Sequence, residues 1–388
     1  MAKTTASLVG VVALLFADPA ACFVPAQPAL SFKQGGACSA HVCVDSMRNR
    51  ATRATTTTAE GRRRPRHVAR RAGPGEPTRM AAEGGGGGGA AATGVERKTV
   101  AIETSEGVPR GPEGAIKLTY LEGNSWMCQV NGLNMLVDPV FGVLDFGVPA
   151  LIQARKRVLW DGDRVMKDLA AVTDFLVITQ GFDDHCHPRT VQALAGLLDP
   201  SVRVVAPPSA QAVLEEHFPT SRITYILPGQ STVLSAGGRA VEVEAVNGAT
   251  LGPPWQQAEN GYFIRPAASA ANGDGMAPEG GTLYLEPHLM FDDSELSAFT
   301  ADVVIAPVVE QNVGPYPLVR GGARALELAS TLKASKLVSM ANGDGDFTGP
   351  VRNAVRQGNT LQEFLDLAKD AGRDVVVPEP AKPINVWP

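Results

Sequence analysis

From Ala115 to the C-terminus, short β-branched runs alternate with helical stretches, and no spacer between them is long enough to divide two independent cores. Residues 116–124, 125–130 and 134–141 are bounded by Gly, Pro and Asn, the pattern of an antiparallel meander. Strand-like runs at 173–180, 202–208 and 223–228 then alternate with helical runs at 189–198 and 209–218, which points to α/β layering. A second β-rich block follows at 240–248, 260–266 and 281–288. After it come a strand (303–309), a helix (323–335), a strand (336–342), a helix (360–372) and a strand (374–379). Two β-rich halves, each closed by helices, predict a single α/β domain, a four-layer αββα sandwich. Two separate domains are the alternative. No repeat of 20–50 residues is visible.

The N-terminal third is chemically different. Residues 1–75 hold eleven Lys or Arg against three acids, a net +8, so the remainder carries −13 of the total −5. Residues 1–22 read as a signal peptide, with Lys3, an apolar run from Ala6 to Ala17 and small residues before Cys22. That run is short of the roughly 20 apolar residues a membrane span needs, so no transmembrane segment is expected in the mature protein. Residues 23–75, rich in Thr, Ala and Arg, have the composition of a transit peptide, and 76–113, which include Gly84 to Gly89, read as a flexible linker. The folded domain is expected at 114–388. A signal followed by a transit segment, with Phe23 at the junction, resembles the bipartite presequences of algae with secondary plastids and implies a plastid stroma; the alternative is a secreted protein with a basic tail. The tract Arg62-Arg63-Arg64-Pro65-Arg66 lacks interleaved aromatics, and the domain's negative charge argues against nucleic acid as a partner.

Of five Cys, only Cys128 and Cys186 fall in the domain, too few for a disulfide framework. Cys128 reads as a buried small hydrophobe. The chemistry concentrates where the strand at 173–180 ends, in Asp183, Asp184, His185, Cys186 and His187. Strand-end loops are where sites are usually built, and Asp and His are ordinary ligands for zinc and related metals. Of six His, His41 and His67 lie in the presequence and His217 in a helix, leaving His185, His187 and His288.

In this register the chain reads Gln180-Gly181-Phe182-Asp183-Asp184-His185, and it resembles the metallo-β-lactamase superfamily, whose motif His-x-His-x-Asp-His follows such a strand. The Asp-His half matches and the His-x-His half does not. Met135-Leu136-Val137-Asp138-Pro139 is similar to the strand end of the branch related to ascorbate-lactonase-like and phospholipase-D-like members. Gly229-Gln230, the strand at 241–246 and residues 281–288 follow in the family's order, so the resemblance spans about 117–377. It implies that the metal-bridging Asp of the family is replaced by His288, that the later His falls at Asn342, and that the middle His, near 247–249, is lost.

What the resemblance leaves is one divalent metal, zinc foremost, held by Asp184, His185 and His288 with a position open to water. Glu286 or Asp183 would act as general base. Gln180, His187, Asn342 and the loop residue Trp255 are candidates for substrate binding, and Glu310-Gln311-Asn312 for the rim. The same residues also have a plain structural reading, with Asp184 bracing a loop and His185 and His288 forming a hydrogen-bonded pair without metal. A hydrolase of unread substrate and a metal-free pseudoenzyme binding a small polar ligand or a protein partner are therefore both carried forward. Di-iron redox chemistry needs the full ligand set and ranks last. Residues 342–346 lack the terminal Glu of a calcium loop, and no GxGxxG, P-loop or GxSxG stands in the folded region.

Overall fold

The computed structural model describes residues 111–250, 258–268, 278–343 and 345–388; the presequence, most of the linker and the Trp255 loop lie outside the described residues. The first half runs β1 (Ile116–Tyr120), β2 (Trp126–Val130), β3 (Leu133–Val137), β4 (Gln153–Arg155), α1 (Gly162–Ala170), β5 (Phe175–Val177), α2 (Pro188–Leu197), β6 (Arg203–Ala206), α3 (Gln211–His217) and β7 (Ile223–Tyr225). The second runs β8 (Ser231–Ala236), β9 (Arg239–Asn247), β10 (Asn260–Pro266), β11 (Leu283–Leu285), α4 (Asp293–Leu296), β12 (Val303–Pro307), β13 (Glu310–Val313), β14 (Tyr316–Val319), α5 (Ala323–Thr331), β15 (Lys336–Met340), β16 (Asp346–Thr348), β17 (Val355–Gly358), α6 (Leu361–Asp370), β18 (Val375–Val376) and β19 (Pro383–Trp387).

Two seven-stranded sheets result, in the orders β19-β1-β2-β3-β5-β6-β7 and β18-β15-β12-β11-β10-β9-β8. In each, an antiparallel meander passes into parallel strands, at β3/β5 in the first and β11/β12 in the second. The chain finally returns β19 to pair antiparallel with β1.

Three apolar clusters explain the layering. Strand residues alternate faces, and along the central strands of both sheets each face is buried. Trp126, Cys128, Met135 and Val177 of the first sheet meet Val243, Tyr262, Leu283 and Val338 of the second in the central core. Their strand neighbours Met127, Leu136 and Leu176 turn outward against Val165 and Leu169 of α1 and Val191 and Leu194 of α2. On the far side, Phe263, Tyr284 and Val304 pack against Leu328 of α5 and Phe364 of α6. Burial on both faces is why these strands read as near-continuous hydrophobic runs. The arrangement is the αββα sandwich expected from the sequence, and Cys128 is fully buried in it.

Helix ends follow local chemistry. Pro188 opens α2, where a missing N–H costs nothing, and Thr360 with Glu363 forms a reciprocal capping box on α6. The sequence reading did not anticipate α1, β8, β19 or the two small sheets, β14-β13-β17 and β4-β16. The small-sheet strands are three or four residues long, too short to show a period.

The turn after β1 anchors a long loop. Glu122 has a positive φ of 64°, and its buried carboxylate accepts backbone N–H bonds from Arg157 (3.0 Å), Val158 (3.1 Å) and Leu159 (2.7 Å). Lys156 is half-buried overall with its ammonium turned inward, donating to the carbonyls of Leu121 and Glu122 above the Phe141 ring. Burial depresses the Lys156 amine to about 7, with Glu122 opposing that shift.

Glu122→Ala strands one buried donor, the Leu159 N–H, and two partly buried ones, at about 1–3 kcal/mol for the buried donor and less for each of the others. A loss of about 3 kcal/mol or more in urea unfolding is expected, and a loss under about 1 kcal/mol would show the loop is held otherwise. For Lys156 the folded-state pKa lies below the unfolded one, so the unfolded chain binds more protons and stability rises with pH between about 7 and 10.5. The melting-temperature gain of Lys156→Met over the wild type should therefore be largest near pH 7 and shrink toward pH 10.

Candidate functional site

The parallel strands β3, β5, β11, β12 and β15 bring their C-terminal ends to one edge of the sandwich, where strand-end loops can meet across the two sheets. Asp138 leaves β3 with φ 43°, a left-handed conformation that Asp tolerates better than most residues. This turns its buried carboxylate back toward the end of β5. Oδ1 accepts from the Thr179 N–H (2.8 Å), and Oδ2 accepts from the Thr179 hydroxyl (2.5 Å) and from His185 Nδ1 (2.7 Å).

His185 is fully buried. Its Nε2 faces His288 Nε2 at 3.2 Å, Asn124 Nδ2 at 3.1 Å and Asp184 Oδ2 at 3.5 Å. His288 comes from the second sheet, in the turn after β11, and its Nδ1 donates to the Leu318 carbonyl at 2.6 Å. A carbonyl can only accept, and the Asp138 carboxylate likewise, so both Nδ1 atoms carry hydrogen and both Nε2 lone pairs converge. Two lone pairs 3.2 Å apart repel unless something positive lies between them.

A proton meets that condition. Burial works against charge on His185, but Asp184 and Asp138 outweigh it and hold its pKa up, whereas burial and then His185 itself hold His288 down. A divalent metal also meets it. Ligand bonds of 2.0–2.1 Å in a tetrahedral zinc site place donor atoms about 3.3 Å apart, close to the observed Nε2 separation and to the Asp184 approach. Among the described residues, no group of three or more His, Cys, Asp and Glu side chains is placed to hold a metal ion; the two imidazoles with Asp184 alongside supply a pair of nitrogens and a carboxylate 3.5 Å from one of them.

The other expected residues take different places. Glu286 is fully buried and burial raises its pKa to about 7, but both its oxygens are engaged: Oε1 accepts from the His288 N–H (3.1 Å) and Oε2 from the Met290 N–H (2.9 Å), bracing the turn at Leu289, φ 54°. Asp183 is tied to no such turn; burial, then Asp184 and Asp145, raise its pKa. His187 caps α2 and hydrogen-bonds Thr190 Oγ1 at 2.8 Å, while that hydroxyl donates to the Phe141 carbonyl. Burial lowers the His187 pKa to about 4, so the structure gives it a bracing position away from the imidazole pair's contacts. Asn342 donates to the Pro287 carbonyl at 3.1 Å, and its own carbonyl accepts from Gln311 at 2.7 Å, which puts β13 at the rim. Gln180 is fully buried. Trp255 lies outside the described residues.

Sequence reasoning assigned no site role to Asp138, Asn124, Thr179 or the Leu318 carbonyl. Asp138-Pro139 carried a signal, as a strand-end motif; the others are joined to the site by contacts between distant segments. A cleft of about 710 Å³ lies aside from the pair, between Asn247-Gly248 and the turn from Met290 to Ser294.

The fold and the paired histidines at its strand ends define a metallo-β-lactamase-type sandwich. A family model described as the beta-lactamase superfamily domain matches residues 117–341, more than half of the chain, and the protein belongs to that family. None of the curated proteins matches it. Similar solved structures include Igni18, a metallo hydrolase from Ignicoccus hospitalis, at 18% identity over 70% of this chain and 98% of that one, TM-score 0.45. An isothiocyanate hydrolase from Delia radicum gut bacteria is 15% identical over 69% and 98%, TM-score 0.49. CmlA, a diiron β-hydroxylase from Streptomyces venezuelae, is 15% identical over 71% and 55%, TM-score 0.46.

Removing one partner of a buried ion pair strands the other, at about 3–5 kcal/mol. Asp138→Ala should destabilise the protein by about 3 kcal/mol in urea unfolding, and Asp138→Asn, which keeps an acceptor, by less. Equal losses would show that the carboxylate's charge plays no part.

Proposed function

We propose that this protein is a metallo-β-lactamase-type hydrolase acting on a small molecule, with at most one metal ion, zinc first among candidates. The observation that supports this reading is the convergence of His185 Nε2 and His288 Nε2, each imidazole oriented from behind by an acceptor on Nδ1. Such outer partners fix the tautomer and raise ligand basicity in metal sites. Asp184, about one-third exposed, is the carboxylate nearest the pair, 3.5 Å from His185 Nε2, and would have to move to complete a three-ligand site. The neutral amides Gln180 and Asn342 stand where the family has ligands, which supports one ion rather than two. When bound, the metal would supply Lewis-acid activation of water and of a carbonyl or phosphoryl group. Asp183 is the carboxylate left for proton transfer, since Glu286 is engaged by the turn it braces.

A second reading is a metal-free binding protein of the same fold. It is favoured by the fact that one proton on His185 completes the chain Asp138–His185–His288–Leu318. Among the described residues no helix is long and apolar enough to cross a membrane. We also place the protein in the plastid stroma, on the composition of residues 1–75; a fluorescent fusion of those residues that is secreted would sink that assignment.

Elemental analysis of the full-length protein, purified without chelator, separates the two readings. About one metal per chain, lost in a His185→Ala/His288→Ala double variant, is the expected result. No metal in either protein leaves the binding-protein reading.

A further inference from the structure

Three side-chain amides stand in the segments that carry or contact the imidazole pair, and each has a buried polar atom with no hydrogen-bond partner among the described residues: Asn124 Oδ1, Asn342 Oδ1, and both Oε1 and Nε2 of Gln180. Two of them are tied to the pair through hydrogen bonds, and the third by its place in the chain. Asn124 touches His185 Nε2. Asn342 holds the Pro287 carbonyl next to His288. Gln180 directly follows Thr179, which bonds both Asp138 and His185.

The orientation of two of these amides is settled by chemistry. Asn124 Nδ2 donates to the Asp184 carbonyl (3.2 Å) and Asn342 Nδ2 to the Pro287 carbonyl (3.1 Å). A carbonyl accepts and never donates, so neither amide can be flipped, and the orphaned atom in each is an oxygen. The unsatisfied set is therefore three acceptor oxygens and one NH₂ donor, with the Asp184 carboxylate near one of them. An oxyanion would bring more acceptors to acceptors. A group that offers several N–H donors and one carbonyl matches the set. Leaving a buried polar group unpaired is costly, and native structures rarely keep such groups without a role.

We propose that Gln180, Asn124 and Asn342 form a recognition subsite for an amide or ureide group of the ligand, with the Gln180 amide kept at the expense of stability in the free protein. The inference rests on reading this edge as the substrate site, and it does not depend on a bound metal.

The test combines thermal melts and ligand-observed NMR on the full-length protein, stripped with EDTA and zinc-loaded in parallel. Hydantoin, a cyclic ureide, is the probe, with acetate and inorganic phosphate as anionic controls. Gln180→Met, close to Gln in volume, should melt about 2–4 °C higher than the wild type in the absence of probe. It should also bind hydantoin at least about tenfold more weakly. A fall in melting temperature would mean that the Gln180 amide is satisfied within the fold and would overturn the proposal. Wild-type binding of phosphate or acetate in preference to hydantoin, or of none of the three, would overturn it equally. Hydantoin binding by a protein that takes up no zinc would uphold this inference and remove the single-metal reading. Zinc uptake without hydantoin binding would do the reverse.

Discussion

The Nε2-to-Nε2 contact of His185 and His288, 3.2 Å long, is where the two halves of the sandwich meet in chemistry rather than in packing. One imidazole comes from the loop after β5 in the first sheet, the other from the turn after β11 in the second. Each is held from behind by a group on its own side, Asp138 for His185 and the Leu318 carbonyl for His288. With both outer nitrogens committed to donating, the inner pair can rest together only around a positive charge. Asp138 is buried and aimed by a left-handed turn, and together with Asp184 it holds the His185 pKa up against the effect of burial.

The surrounding residues hold the two imidazoles through the backbone of their turns. Glu286 has become a brace, both oxygens engaged by backbone N–H groups of a positive-φ turn, so that His288 is presented rigidly. Gln180 and Asn342 offer neutral amides, which recognise hydrogen-bonding partners far better than they hold transition metals. The small sheet β14-β13-β17 adds two contacts that make the site, the Leu318 carbonyl on His288 and Gln311 on Asn342.

Much of the fold was legible because its strands are buried on both faces and announce themselves as apolar runs bounded by Gly, Pro and Asn. The meander, the α/β alternation and the second β-rich block all stand where the pattern puts them. What escaped was short or locally polar. Strand β8 has a largely exposed face, the small-sheet strands are too brief for a period, and β19 acquires its pairing from β1, more than two hundred residues away.

For the site, residue type by itself determined that Asp184, His185 and His288 are the groups with metal-capable chemistry, because the domain holds so few histidines and they fall at strand ends. Tertiary structure alone decided their state. That His187 braces a helix start, that Glu286 is consumed by a turn, and that Asp138 stands behind His185 depend on hydrogen bonds between residues up to 47 positions apart. A single chain of letters carries donors and acceptors but not their distances, and the protonation of a buried imidazole is set by the charges within a few ångströms of it.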